Sequence, residues 1–113
     1  MSVQPGTYNI TLQRRADYSL LLQFKDSDDA VIDLTDYTAY AQVWNEGRTT
    51  KYADFAIAYT DRSNGQITIS LTDTQTTDFI DELRYDVLLE DGSENREYYL
   101  EGVIFVSQGY TAP

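Results

Sequence analysis

Apolar side chains recur at every second position along most of this chain, and that period limits the folds open to it. Tyr8, Ile10 and Leu12 alternate with Thr7, Asn9, Thr11 and Gln13. Tyr18, Leu20, Leu22 and Phe24 repeat the pattern, with Leu21 alone among apolar residues on the opposite face. Ala39, Ala41 and Val43 share one face of the next stretch, while Tyr40, Gln42 and Trp44 share the other. The pattern returns in Phe55, Ile57 and Tyr59, in Ile67, Ile69 and Leu71, and in Tyr85, Val87 and Leu89. It ends with Tyr98, Leu100, Gly102, Ile104 and Val106. Successive strand residues point to opposite sides of a sheet, so each stretch reads as a strand with one buried face.

Turn signals separate the stretches: Lys25-Asp26-Ser27-Asp28-Asp29, Asn45-Glu46-Gly47-Arg48, Asp61-Arg62-Ser63-Asn64-Gly65 and Asp91-Gly92. The Asn64-Gly65 pair suits positive φ and marks a hairpin. Residues 31–34 form a short extended piece. The alternation fails over residues 72–83. There Thr72 or Asp73 is expected to cap a short helix, with Gln75 or Thr76 in its first turn and Phe79, Ile80 and Leu83 at helical spacing. Threonine is a weak helix former, which limits this helix to two turns.

Seven to nine short strands with one helical turn predict an all-β domain, a β-sandwich, with a small barrel as the alternative. The 113 residues suit one domain spanning 1–113, with residues 1–5 as an N-terminal arm and 108–113 as a C-terminal tail. Leu22, Ile69, Val87 and Leu100 are expected to be inward and nearly fully buried. In the last hairpin, pairing residue 85 with 98 would set Asp86 against Glu97. Pairing 85 with 100 avoids that, places Arg84 opposite Glu101 and leaves a loop of residues 91–94, and is the register expected.

The chain has neither cysteine nor histidine. Disulfides, thiolate metal sites, Ser-His and Cys-His nucleophile pairs and nearly all zinc sites are therefore excluded. Its glycines are scattered, without a phosphate-binding loop. The net charge of −11 repels phosphate backbones and anionic lipid, and the one adjacent basic pair, Arg14-Arg15, reads as a bend with solvated charges. Neither a nucleic-acid nor a membrane partner is expected. Residues 1–8 lack the features of a signal peptide, so synthesis in a cytoplasm is expected.

Asp86, with Glu97 and Glu101 nearby, is the surviving candidate for carboxylate catalysis, but these residues alternate onto a solvated face. Asp26, Asp28, Asp29 and Asp33 invite a calcium reading. Counting from Asp26, however, an EF-hand loop would need glycine where Val31 stands and glutamate where Tyr37 stands. The expectation is a solvated acidic turn, no metal, no cofactor and no catalytic residue. Gly102, on the inward face of its strand, is expected to admit a bulky neighbour such as Trp44 or a tyrosine ring.

Ten Tyr, four Phe and one Trp are more aromatics than so short a chain needs for a core. If Leu100, Gly102, Ile104 and Val106 face inward, Tyr99, Val103 and Phe105 face outward, as do Tyr40, Trp44 and Leu88 on their own strands. These six are the candidate protein interface, since contiguous exposed aromatics anchor partners.

Several stretches, taken in order, resemble a module of tailed bacteriophages. They are Asp17-Tyr18-Ser19-Leu20, Ile32-Asp33-Leu34-Thr35, Thr38-Ala39-Tyr40-Ala41-Gln42-Val43, Asn64-Gly65-Gln66-Ile67-Thr68-Ile69-Ser70-Leu71, Arg84-Tyr85-Asp86-Val87 and Leu100-Glu101-Gly102-Val103-Ile104-Phe105-Val106. The module is the immunoglobulin-like N-terminal sandwich of baseplate upper proteins and tail-fibre proteins, and the resemblance covers roughly residues 14 to 111. Ala16 and Asp36 stand where members often carry glycine. The resemblance implies an immunoglobulin-like fold in which the last two strands and the 38–44 strand share a sheet. It also implies a virion structural protein, made in the host cytoplasm, that docks on other virion proteins of the tail, baseplate or fibre as a homo-oligomer. A capsid decoration or neck protein is the alternative in the same class. A carbohydrate-binding module and a small carboxylate hydrolase are the alternatives in others.

Overall fold

The computed structural model describes residues 6–25 and 28–108. The expected arm at residues 1–5, Asp26 and Ser27 of the acidic turn, and the expected tail beyond Gln108 lie outside the described residues.

Among the described residues the chain forms nine strands. They are β1 (Gly6–Thr7), β2 (Ile10–Gln13), β3 (Tyr18–Gln23), β4 (Thr38–Trp44), β5 (Lys51–Asp54), β6 (Ala56–Asp61), β7 (Gln66–Leu71), β8 (Glu82–Glu90) and β9 (Arg96–Ser107). One sheet is six-stranded: β5, β4, β8 and β9 run antiparallel in that order, and β1 and β2 both add parallel to the other edge of β9. The other has three antiparallel strands in the order β3-β7-β6. The core lies where the layers meet, with Ile10, Val43, Ile67, Ile69, Leu83, Val87, Leu89 and Ile104 almost wholly buried. This is the all-β sandwich that the alternation predicts, and β4, β8 and β9 do share one sheet.

The period of two is cleanest in β7 and β8, where every second residue is buried. It persists at lower burial in β3, an edge strand of the smaller sheet, where Leu20 and Leu22 are only partly covered. Leu22 therefore departs from the full burial expected of it, and so does Leu100. Residues 51–59 hold two strands where the apolar pattern marks one. The chain leaves the large sheet after Asp54 and enters the small one at Ala56, with Phe55 buried at the crossing and its N–H donated to the Ala41 carbonyl at 2.9 Å. β5 escapes the sequence pattern because it is a polar edge strand in which Ala53 alone is buried.

At the β6–β7 hairpin a 3-10 turn (Arg62–Asn64) ends on Gly65, whose φ is +72°. A Cβ there would lie 2.6 Å from the Ile32 carbonyl oxygen and 2.8 Å from that of Phe24, so the site admits only glycine.

The predicted helix is present as one turn, α1 (Asp73–Thr76). Thr72 caps it: its hydroxyl accepts the Gln75 N–H at 3.2 Å while the Gln75 side-chain oxygen accepts the Thr72 N–H at 2.9 Å. The spacing of Phe79, Ile80 and Leu83 is not helical in fact. Phe79 is buried, Ile80 is exposed, and Leu83 already belongs to β8. The fully buried Thr76 hydroxyl bonds both the N–H and the C=O of Ala16, which ties the turn to the chain before β3.

The last hairpin differs from the expected register. Tyr85 lies opposite Gly102, and Asp86 opposite Glu101, up to a bulge between Val87 and Leu88. Beyond it Leu88 faces Tyr98 and Glu90 faces Arg96. The loop is longer than the four residues expected. Asp91 organises it, donating its N–H to the Asn95 carbonyl at 2.9 Å and accepting the N–H groups of Ser93 and Asn95 on its carboxylate at 2.8 and 3.0 Å. The bulge places two successive residues, Tyr99 and Leu100, on the inner side of β9. Tyr99 is thus core, 7% exposed, with its ring edge-on to Phe24 at 5.6 Å. Its assignment to the interface is corrected accordingly, and Tyr98 takes the outward place.

Candidate functional site: an aromatic groove on the larger sheet

The outward residues of β4, β8 and β9 align in three rows across the sheet. Tyr40, Leu88 and Tyr98 form the first, Gln42, Asp86 and Glu101 the second, and Trp44, Arg84 and Val103 the third. Together they floor a groove of about 860 Å³, bounded by Thr7 and Asn9 before β2 and by Glu46 and Arg48 in the β4–β5 turn.

Each boundary has a local cause. On one side β1 and β2 pair with β9, and the link between them passes close because residue 102 is glycine. A Cβ at Gly102 would lie 2.1 Å from the Tyr8 carbonyl oxygen and 3.1 Å from the Tyr85 ring. That carbonyl accepts the Tyr85 hydroxyl, and the Asn9 side-chain oxygen accepts the Val103 N–H at 3.0 Å. Gly102 thus admits a tyrosine ring edge and a backbone carbonyl rather than Trp44. On the other side the Asn45 side-chain oxygen accepts the Thr49 and Thr50 N–H groups at 2.8 and 3.0 Å. The turn runs through Arg48 at φ +55° and holds its guanidinium 4.5 Å over the Trp44 ring. The Trp44 indole N–H donates to Gln42 Oε1 at 2.9 Å, which orients the ring.

Two of the three neighbouring cations are paired with carboxylates. Arg84 lies between Glu46 at 3.5 Å and Glu82 at 3.3 Å, and Arg96 reaches Glu90 at 2.6 Å. The two carboxylates at the centre have no hydrogen bond or ion pair through their side chains among the described residues. Asp86 is half-buried and faces Glu101. Burial first, and the like charge of Glu101 second, raise its carboxyl above the ordinary aspartate value, while the Arg48 charge pulls it back.

Of the residues expected to form an interface, Tyr40 (46% exposed), Trp44, Leu88 and Val103 meet in the groove. Phe105 (45% exposed) lies on the same face one row beyond Val103, opposite Glu82 and Thr11, outside the groove lining. Tyr98, 52% exposed, was not expected there, and Asp86 and Glu101, expected on a solvated face, were not expected opposite each other. The signal that would have found Tyr98 is the Asp91-x-x-x-Asn95 spacing, in which one carboxylate gathers the loop and lengthens it, whereas the facing of Asp86 and Glu101 also needs the bulge.

Glu97 lies opposite inward Leu89, so it and Asp86 do not share a face. In the acidic turn Asp33 accepts the Thr35 N–H at 2.9 Å, and Asp29 pairs with Lys25 at 3.5 Å. Arg14 is no solvated charge: it donates to the Phe79 carbonyl at 2.8 Å and bridges Asp81 at 3.0 Å.

No family model matches the chain, and no curated protein matches it in sequence. Among solved structures it is similar to the filamin domain of Lin-41, at 14% identity and a TM-score of 0.48 over 88% of this chain and 84% of that one. It is also similar to a chain of the complex of ICOS with ICOS-L and an anti-ICOS-L VNAR domain. There the identity is 12% and the TM-score 0.56, over 91% of this chain and 56% of that chain. The fold is an immunoglobulin-like β-sandwich.

Proposed function

We propose that this domain is a non-enzymatic structural component of a tailed-phage virion. It is an adaptor that docks on other tail, baseplate or fibre proteins through the outer face of β4, β8 and β9. The observation that carries the docking reading is the groove itself. Three large aromatic side chains, Tyr40, Trp44 and Tyr98, lie together on a concave face where a solitary domain prefers polar residues. The phage context is supported by the order of the resembling stretches, which fall successively on β3, the 32–35 segment, β4, β7, β8 and β9. A component of this kind is made in the host cytoplasm and repeated in the virion as a homo-oligomer around a symmetry axis.

The test is assembly. Trp44→Asp and Phe105→Asp are expected to leave the isolated domain folded, by circular dichroism, and to remove it from purified particles, by quantitative mass spectrometry. Imaging of particles carrying the labelled chain separates a tail position from a head decoration or neck position. Unfolding of both variants, or their normal incorporation, contradicts the docking reading.

The groove favours one second reading. Aromatic rings beside carboxylates also suit sugar rings, and a carbohydrate-binding module would show saturable glycan-array binding that Trp44→Asp removes.

A further inference from the structure

We propose that the groove receives an arginine side chain of a partner protein. Its guanidinium seats on Asp86 and Glu101 and its faces meet the rings of Tyr40, Tyr98 and Trp44. This rests on the docking reading above and names the chemistry of its partner.

Charge complementarity selects the occupant. Asp86 and Glu101 face each other across β8 and β9 at the groove's centre, with no ion pair among the described residues. Of the arginines bordering them, Arg84 pairs with Glu46 and Glu82 and Arg96 with Glu90, while Arg48 stacks on the Trp44 ring and acts on Asp86 through its charge alone. Two facing carboxylates, Asp86 half-buried and Glu101 exposed, repel each other, and an incoming cation removes that repulsion. The chain's net charge of −11 draws a basic surface from a distance.

Geometry selects arginine. Alternate residues along a strand are about 6.7 Å apart, so Tyr40 and Trp44 flank the acidic row at that spacing on either side. A guanidinium on the row donates bidentate N–H contacts to the carboxylates through its edge while ring faces lie within cation–π range of about 6 Å. Lysine offers a point charge without the planar fork or the stacking surface. The groove already holds one example of that stacking, the Arg48 guanidinium over Trp44.

Trp44 is the chain's one tryptophan, so its fluorescence reports on the groove. The full chain is titrated with an acetylated, amidated Gly-Gly-Arg-Gly-Gly peptide and with its citrulline counterpart, a neutral near-isostere. The arginine peptide is expected to give a saturable change that weakens at least about tenfold between low salt and about 0.3 M salt. The citrulline peptide is expected to bind at least about tenfold more weakly, the loss of a charge-assisted contact. The double variant Asp86→Asn, Glu101→Gln is expected to keep the fold, by circular dichroism, and to bind the arginine peptide about as weakly as wild type binds citrulline.

Equal binding of the two peptides, unchanged affinity in the double variant, or no saturable change with arginine overturns the inference. So does saturable binding of cellohexaose with none of the arginine peptide, which assigns the groove to sugars. If the peptide fails while Trp44→Asp still abolishes incorporation into particles, the arginine inference falls and the docking reading stands. If the peptide binds and incorporation is unaffected by Trp44→Asp, the docking reading falls instead.

Discussion

Asp86 ionises less readily than an exposed aspartate because it is half-buried and faces Glu101 across the strand pair. Ionised Asp86 therefore opposes folding at neutral pH. The penalty is absent below the ordinary value of 3.8, where the side chain is protonated folded or unfolded, and it grows as pH rises from there through the raised folded value, above which it is complete. Asp86→Asn is expected to raise Tm at pH 7 and to match wild type below about pH 3.8 in thermal melts. A gap that widens on acidification would contradict this account. Asp33, Asp61 and Asp91 carry the opposite sign. Hydrogen bonds from Thr35, from Asn64 and Ser63, and from the Asn95 and Ser93 backbone hold them below the ordinary value. Their contribution is present above 3.8 and is lost as pH falls through their folded values, in wild type and variant alike. Burial pushes the Tyr99 hydroxyl up to about 12, with Glu97 adding to it, so Tyr99 stays neutral in its core position at physiological pH.

At the scale of elements, the groove depends on how closely the β1–β2 link approaches β9. The approach is possible because Gly102 presents no Cβ to the Tyr8 carbonyl. Gly102→Ala forces a rigid backbone segment outward, and a cost of about 1–3 kcal/mol is expected from urea denaturation. Gly92, with nothing within 4 Å of its Cβ position, supplies the control: Gly92→Ala should stay within about 0.5 kcal/mol of wild type. Equal effects at the two positions would mean that the approach stores no constraint. The bulge in β9 acts at the same scale. One extra residue there turns Tyr99 into the core and Tyr98 out to the groove, and so moves an aromatic anchor from one face to the other.

Over the whole molecule, stability is concentrated where the two sheets overlap. Leu89, on a central strand of the larger sheet, is 1% exposed, whereas Leu22 is partly exposed on an edge strand of the smaller one. Leu89→Ala is expected to cost about 2–5 kcal/mol and Leu22→Ala clearly less, both by denaturant unfolding. Equal costs would mean that the smaller sheet is as well covered as the larger. The all-β class, most strand positions and the capped turn at Thr72 were legible in the sequence, because each rests on side-chain alternation or turn chemistry, which are local. The sharing of one sheet by β4, β8 and β9 was implied only by the resemblance. Tyr40, Trp44, Leu88 and Val103 were each legible as outward on their own strands, and the registers of β4, β8 and β9 bring them together. The Tyr98 position, the burial of Tyr99, the facing of Asp86 and Glu101 and the split of residues 51–59 into two strands were decided by tertiary structure. Avoiding like charges across the strands predicts a different register from the one adopted. The Asp91 loop and the bulge set the pairing, and the burial of the Tyr99 ring that follows offsets the repulsion of one partly solvated acidic pair.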